Sequence, residues 1–130
     1  RAKLAYLSGF FDGEGSILVS EKGNGSHSLQ LAVVNAVQTP LKVFQKLFGG
    51  TIRQQWRRHN RVIFQWNLYA VEPCQKALRL LLPWLTVKHR TAKLALKWRH
   101  LPASNGHKMS RKLKQQRTML IRKIRATYKP

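Results

Sequence analysis

Arg61-Val-Ile-Phe-Gln-Trp-Asn-Leu-Tyr69 carries the cleanest pattern in the chain. Val62, Phe64, Trp66 and Leu68 fall on one side of an extended backbone, and Ile63, Gln65 and Asn67 on the other. A period of two with one apolar side predicts a strand in a sheet covered on one face only. The preceding stretch repeats the pattern. Thr51, Arg53, Gln55 and Arg57 alternate with Ile52, Gln54 and Trp56, and Arg58-His59-Asn60 is a polar turn between the two strands. Further upstream, Ser28 to Val34 sets Leu29, Leu31 and Val33 against Ser28 and Gln30. Gly15 to Lys22 alternates loosely around Ile17 and Val19, and Lys22-Gly-Asn-Gly-Ser-His27 has the composition of a turn. Two hairpins therefore predict a four-stranded antiparallel sheet.

The remaining segments read as helices. Lys3 to Asp12 is short and apolar, with glycine just beyond it. Thr39-Pro40 opens a helix that carries Leu41, Phe44, Leu47 and Phe48 and closes at Gly49-Gly50. Glu72-Pro73 opens a third, with Ala77, Leu78, Leu81 and Leu82 as its stripe and Pro83 bending or ending it. A fourth is expected from Thr86 or Val87 to Leu101, burying Leu94, Ala95 and Trp98. Residues 102–106 break it, and His107 to Tyr128 forms a strongly basic helix with sparse apolar positions. The order is α-β-β-α-β-β-α-α plus a basic tail helix, an α+β fold with helices on the apolar face of the sheet. Residues 1–106 are expected to form the core and residues 107–130 a helical extension of the same domain.

The composition says what this fold would meet. The 130 residues contain 25 Lys and Arg against four acids, a formal net charge of +21, and 43% are hydrophobic, enough for one packed core. Self-repulsion at such a charge opposes compaction, and a polyanion relieves it with counterion release. Nucleic acid is the default partner; an anionic membrane surface is the electrostatic alternative. No spanning segment is expected, since the longest apolar run, Leu78 to Leu85, is interrupted by Arg79 and Pro83. The single cysteine, Cys74, excludes an intrachain disulfide and a thiolate zinc site. His27, His59, His89, His100 and His107 show no ligand spacing. The sequence begins at Arg1 without Met, so further residues are expected to precede it, and no signal peptide is seen.

The polar side of the strands and their turn carries Ser20, Lys22, Asn24, Gln30, Arg53, Gln55, Arg57, Arg61, Gln65 and Asn67. Arg and Lys pair with guanine acceptors, and Gln and Asn pair with adenine, across the major groove of double-stranded DNA. Glu21 is the only acid in or beside these strands, whereas an ordinary solvated face mixes signs.

The acids are concentrated. Asp12 and Glu14 lie within Gly9-Phe-Phe-Asp-Gly-Glu-Gly15, and only Glu21 and Glu72 lie elsewhere. The end of a helix already carries partial negative charge, so acids there either hold a cation or cap a turn through local hydrogen bonds. Oxygen ligands of this kind suit Mg²⁺ or Ca²⁺. Ala5, Ser8 and Gly9 put small residues about one turn apart on the same helix, which lets a second copy of it approach closely.

The run Leu4-Ala-Tyr-Leu-Ser-Gly-Phe-Phe-Asp-Gly-Glu-Gly-Ser16 resembles the LAGLIDADG motif of homing endonucleases. The resemblance extends to about Leu101: Phe48-Gly-Gly-Thr-Ile-Arg53 is similar to the family's turn into its third strand, and Leu82-Pro-Trp-Leu-Thr-Val-Lys-His-Arg-Thr-Ala-Lys93 to its Pro-aromatic-Leu-x-x-Lys segment. It implies an αββαββα core whose saddle-shaped sheet sits in the DNA major groove. One motif per chain resembles the members that act as homodimers on near-palindromic sites, with Leu4, Ala5, Ser8 and Gly9 at the interface. By the resemblance Glu14 is the catalytic metal ligand, with the Gly13 carbonyl beside it, and Asp12 is a motif acid nearer the interface. Lys88 stands near the scissile phosphate, and Asn35 where a polar residue orders water. A second basic active-site residue of some relatives has no match, since Gln38 and Thr39 occupy that region. The implied activity is a Mg²⁺-dependent double-strand break in DNA, with Ca²⁺ binding but not supporting cleavage. The gene would lie in a mobile intron and the protein inside the cell, in a chloroplast, a mitochondrion or a prokaryotic cytoplasm. Two other readings stay open: a maturase that binds intron RNA, and a DNA-binding regulator without nuclease activity.

Overall fold

The computed structural model describes residues 2–21, 27–57, 61–97 and 111–127. The elements run α1 (Ala2–Glu14), β1 (Gly15–Glu21), β2 (His27–Asn35), α2 (Thr39–Phe48), β3 (Thr51–Arg57), β4 (Arg61–Tyr69), α3 (Val71–Leu81), a 3-10 turn (Leu82–Trp84), α4 (His89–Leu96) and α5 (Arg111–Ala126). The strands form one antiparallel sheet in the order β1-β2-β4-β3. Gly15 pairs with Val33, Val33 with Trp66, and Trp66 with Ile52, so the inward positions of all four strands share one face. The fold is the α+β arrangement expected from the alternation.

Inward residues of the strands meet the helices in a single core. Ile17, Leu29, Leu31, Val33, Trp66 and Leu68 join Leu7 and Phe11 of α1, Leu41 and Phe44 of α2, and Cys74, Ala77, Leu78 and Leu81 of α3. Trp66 anchors the α2–β3 corner. Its ring lies 5.0 Å from that of Phe44, and its indole N–H donates to the Gly49 carbonyl at 2.8 Å. Gly50, at φ +92, passes so close to β4 that a Cβ there would lie 2.3 Å from the Asn67 carbonyl oxygen, so only glycine closes this corner. Trp56 alternates onto the apolar side but is 70% exposed, because it lies next to the end of the edge strand β3. The thiol of Cys74 donates to the Leu68 carbonyl at 3.2 Å, and burial pushes its pKa up to about 12, so it is an inert core group.

Several boundaries differ from the sequence reading, and α4 ends at Leu96, short of the expected Leu101. Helix α1 continues through Glu14 and passes directly into β1. Helix α4 starts at His89, not at Thr86 or Val87, because the backbone N–H groups of Thr86 and Lys88 are taken by a side chain from α1. Ala95 is buried as expected, whereas Leu94 is only half-buried; Trp98 lies outside the described residues. Helix α5 packs on α4 and β1, burying Ile121 and Ile124, and the Thr91 and Thr127 hydroxyls meet at 2.6 Å. Among the described residues no helix is long and apolar enough to cross a membrane.

Candidate active site and strand face

The end of α1 is built by close packing. A Cβ on Gly15 would lie 2.4 Å from the Phe11 ring, so glycine is what lets β1 begin against the last turn of the helix. This abrupt turn leaves Glu14 exposed at the end of α1, beside an exposed Gly13 with open space where a side chain would project. The two acids of the motif have separate environments. Glu14 hydrogen-bonds no described side chain. The Asp12 carboxylate is engaged at both oxygens: Oδ2 accepts the Thr86 N–H at 2.7 Å and Oδ1 the Lys88 N–H at 2.9 Å. Asp12 thus holds the segment that leads into α4. Both of its oxygens accept backbone donors, which gives Asp12 a positioning role within the chain.

The same clasp aims Lys88. Its Nζ donates to the Asp12 carbonyl at 2.6 Å, supplying a cation to the carbonyl end of α1, whose last turn has no basic residue of its own. Half-burial lowers the pKa of Lys88, while the charges of Asp12 and Glu14 oppose that shift. Asn35 ends β2, two residues beyond Val33, the partner of Gly15, which puts it at the α1–β1 end of the sheet. Its side-chain oxygen accepts the Val37 N–H at 3.1 Å, closing the turn into α2. Glu14, Gly13, Lys88 and Asn35 thus gather at one end of the sheet.

Of the expected interface residues, Leu4 and Ala5 are half-buried and Gly9 is exposed. Ser8 is corrected: it is fully buried and its hydroxyl donates to the Leu81 carbonyl at 3.1 Å, tying α1 to α3 within the chain. The open small-residue face of α1 passes through Ala5, Gly9 and Gly13, four residues apart.

On the polar face of the sheet, Ser20, Arg53 and Arg61 are exposed, and Gln30, Gln55 and Gln65 are half-buried. Ser20 is hydrogen-bonded to Ser28 across β1–β2. Lys22 and Asn24 lie outside the described residues, as does the side chain of Arg57. Asn67 is corrected: it points to this face but is only 2% exposed, covered by side-chain amides that bond to it. The clasp between Asp12 and the Thr86–Lys88 segment, and the bonds among the amides, are what a reading of the sequence missed. The clasp and the Gln30–Asn67 bond join residues far apart in the chain, so no local pattern announces them.

Among the described residues no three His, Cys, Asp or Glu side chains gather. Among the described residues one chain therefore brings one exposed carboxylate, Glu14, to this site, with the neighbouring Gly13 carbonyl. These are hard oxygen donors, which fit a divalent ion that takes one or two carboxylates and completes its shell with water and phosphate oxygens.

No protein-family model matches the chain. It is similar to the DNA endonuclease I-CreI of Chlamydomonas reinhardtii, 32% identical over 98 residues, which cover 72% of this chain and 60% of that relative's length. The fold is similar to that of the homing endonuclease I-CvuI in complex with its target in the presence of Ca, with a TM-score of 0.78, 24% identity, and 99% of this chain and 83% of that one covered. The archaeal intron-encoded homing endonuclease I-Vdi141I, complexed with DNA, aligns with a TM-score of 0.78 at 17% identity, over 98% of this chain and 85% of that one.

Proposed function

We propose that the chain, whose motif and fold are those of the one-motif LAGLIDADG proteins, is a homing endonuclease that makes a double-strand break in DNA. The observation that carries this reading is the division between the two motif acids. A polyanion-binding protein with four acids in 130 residues keeps one of them exposed at the end of α1, hydrogen-bonded to no described side chain and within electrostatic reach of a half-buried lysine. A pure binder of DNA has no use for a free carboxylate there.

Glu14 and the Gly13 carbonyl would hold Mg²⁺. When bound, the ion lowers the pKa of water and stabilises charge on the phosphate oxygens. The chain's own part is to bind and to orient. Lys88, held by Asp12, donates to a phosphate oxygen as negative charge builds on it. Asn35 keeps its amide N–H groups free for water, since its oxygen is used in the turn. The DNA lies on the polar face of the sheet, where a two-stranded ribbon fits the major groove.

One acid per chain makes a second copy necessary for cutting both strands of a near-palindromic site. The open Ala5-Gly9-Gly13 face of α1 suits close contact with the same helix of a partner subunit, which would bring two Glu14 carboxylates together. The relative I-CreI is a DNA endonuclease, and I-CvuI is seen with its target and calcium, which supports both the DNA and the divalent ion. The test is incubation with a randomised duplex library in Mg²⁺, Ca²⁺ or EDTA, with recovery of cut ends. One long, near-palindromic cut site that appears with Mg²⁺ alone is expected; binding without cuts in any metal would contradict it.

The intron-RNA reading rests on a different surface. Lys42, Lys46, Lys76, Arg79, Arg90 and Lys93 are exposed on α2, α3 and α4, on the helical side of the sheet, where a duplex on the strand face does not reach. Retention of intron RNA by the wild type but not by a variant with these six changed to Gln would support it.

A further inference from the structure

The polar face of the sheet holds a continuous chain of side-chain amides across three strands. Gln30 Nε2 on β2 donates to Asn67 Oδ1 on β4 at 2.9 Å. Gln65 Nε2 donates to the same oxygen at 2.7 Å, and Gln55 Nε2 on β3 donates to Gln65 Oε1 at 2.9 Å. Asn67 is buried and the three glutamines are half-buried, so these bonds are largely shielded from water. An amide has one end that donates and one that accepts, so in a chain of amides the orientation of each member dictates that of the next.

We infer that Asn67 is the residue that sets the base preference of this face, by fixing which end of Gln30 and Gln55 is offered to DNA. Two Nε2 groups converge on the Asn67 oxygen, so Gln30 must turn its Oε1 outward. Gln65 spends Nε2 on Asn67 and Oε1 on Gln55, so it relays orientation and reads no base. Gln55, with Nε2 directed inward, also offers Oε1. The two outward acceptors suit the exocyclic amino groups of adenine N6 or cytosine N4 in the major groove, and each glutamine keeps one N–H for adenine N7. Gln65 and Asn67 thus leave the set of base readers and become positioning residues. The bases under Gln30 and Gln55 are read as a coupled pair although a strand lies between them. This inference rests on DNA binding at the strand face.

The experiment is selection of bound sequences from a randomised duplex library by wild type, Asn67→Leu, Asn67→Asp and Gln65→Met, with folding of each checked by thermal melting. The wild type is expected to prefer adenine or cytosine by about 10-fold at two positions, the discrimination usual for a well-made amide–base contact. Asn67→Leu flattens both positions together and leaves preferences elsewhere intact. Asn67→Asp, which keeps the acceptor, lowers overall affinity through its charge but retains the order of bases at both. A merely structural role predicts no such rescue. Gln65→Met, at a half-buried position that tolerates change if Asn67→Leu does not fold, flattens only the position read by Gln55. An unchanged profile in Asn67→Leu or Gln65→Met, or an Asn67→Asp profile as flat as that of Asn67→Leu, overturns the inference. A wild type that selects no sequence overturns the DNA-binding reading with it, a separate and recognisable result.

Discussion

At the α1–β1 junction Asp12 grips backbone N–H groups of a segment more than seventy residues away, whereas on the strand face Gln30, Gln55, Gln65 and Asn67 grip one another. The junction is clamped by main-chain bonds, so its geometry follows the fold. The strand face is set by side chains alone, so its donor and acceptor pattern changes with a single substitution while the fold stays. Positions that serve cleavage should therefore fail in any substitution. Positions that serve recognition should trade one preference for another.

The largest effect is expected at Glu14. Glu14→Gln keeps size and removes charge at an exposed position, so cleavage should vanish in a nicking assay while binding in a mobility-shift assay stays within a few-fold. Lys88→Met should lower the cleavage rate about 100-fold, in line with loss of one positioned charge donor. Its pH dependence has a definite sign. Burial lowers the Lys88 pKa, so between that value and the ordinary lysine value the folded chain has lost a proton that the unfolded chain retains. Stability contributed by this group therefore rises with pH across that window, while cleavage falls as the ammonium is lost. A cleavage profile that stays flat up to the ordinary lysine pKa would remove Lys88 from the mechanism.

Asp12→Ala should destabilise the chain by about 2–3 kcal/mol, since it strips a charged acceptor from two backbone donors. Asp12→Asn should do little better, because its NH₂ would face one of those N–H groups; thermal melting measures both. On the strand face, Arg53→Ala should weaken binding by about 10-fold if it reads a base, and should flatten one position of the selected site. If it meets only phosphate, the salt slope of binding falls by about one and no position flattens. The smallest effect lies away from both regions. Ala70 adopts φ 80 and ψ 149, a conformation nearly confined to glycine, and Ala70→Gly should raise stability by about 1 kcal/mol.

The contrast between the two regions also explains what could be read from the sequence. Alternation in Arg61–Tyr69 and its neighbours revealed the sheet and its apolar face, because strand periodicity is local and burial follows it. The same period puts Asn67 on the correct face, but not in its buried state, which depends on Gln30 of β2 and Gln65 of its own strand converging on it. Small-residue spacing suggested Ser8 for a subunit interface, although its hydroxyl is held by the Leu81 carbonyl of the same chain. The start of α4 is not legible locally, because the N–H groups of Thr86 and Lys88 just before it are held by Asp12 on α1. In each case an element was legible from nearby residues, and a bond between distant elements was not.

The division of labour between Glu14 and Asp12 is tested most directly by measuring cleavage and melting side by side for wild type, Glu14→Gln and Asp12→Ala. Loss of cleavage with an unchanged melting temperature for Glu14→Gln, and a lowered melting temperature for Asp12→Ala, are the predicted results. A Glu14→Gln protein that cuts at the wild-type rate, or an Asp12→Ala protein that melts with the wild type, would contradict the assignment.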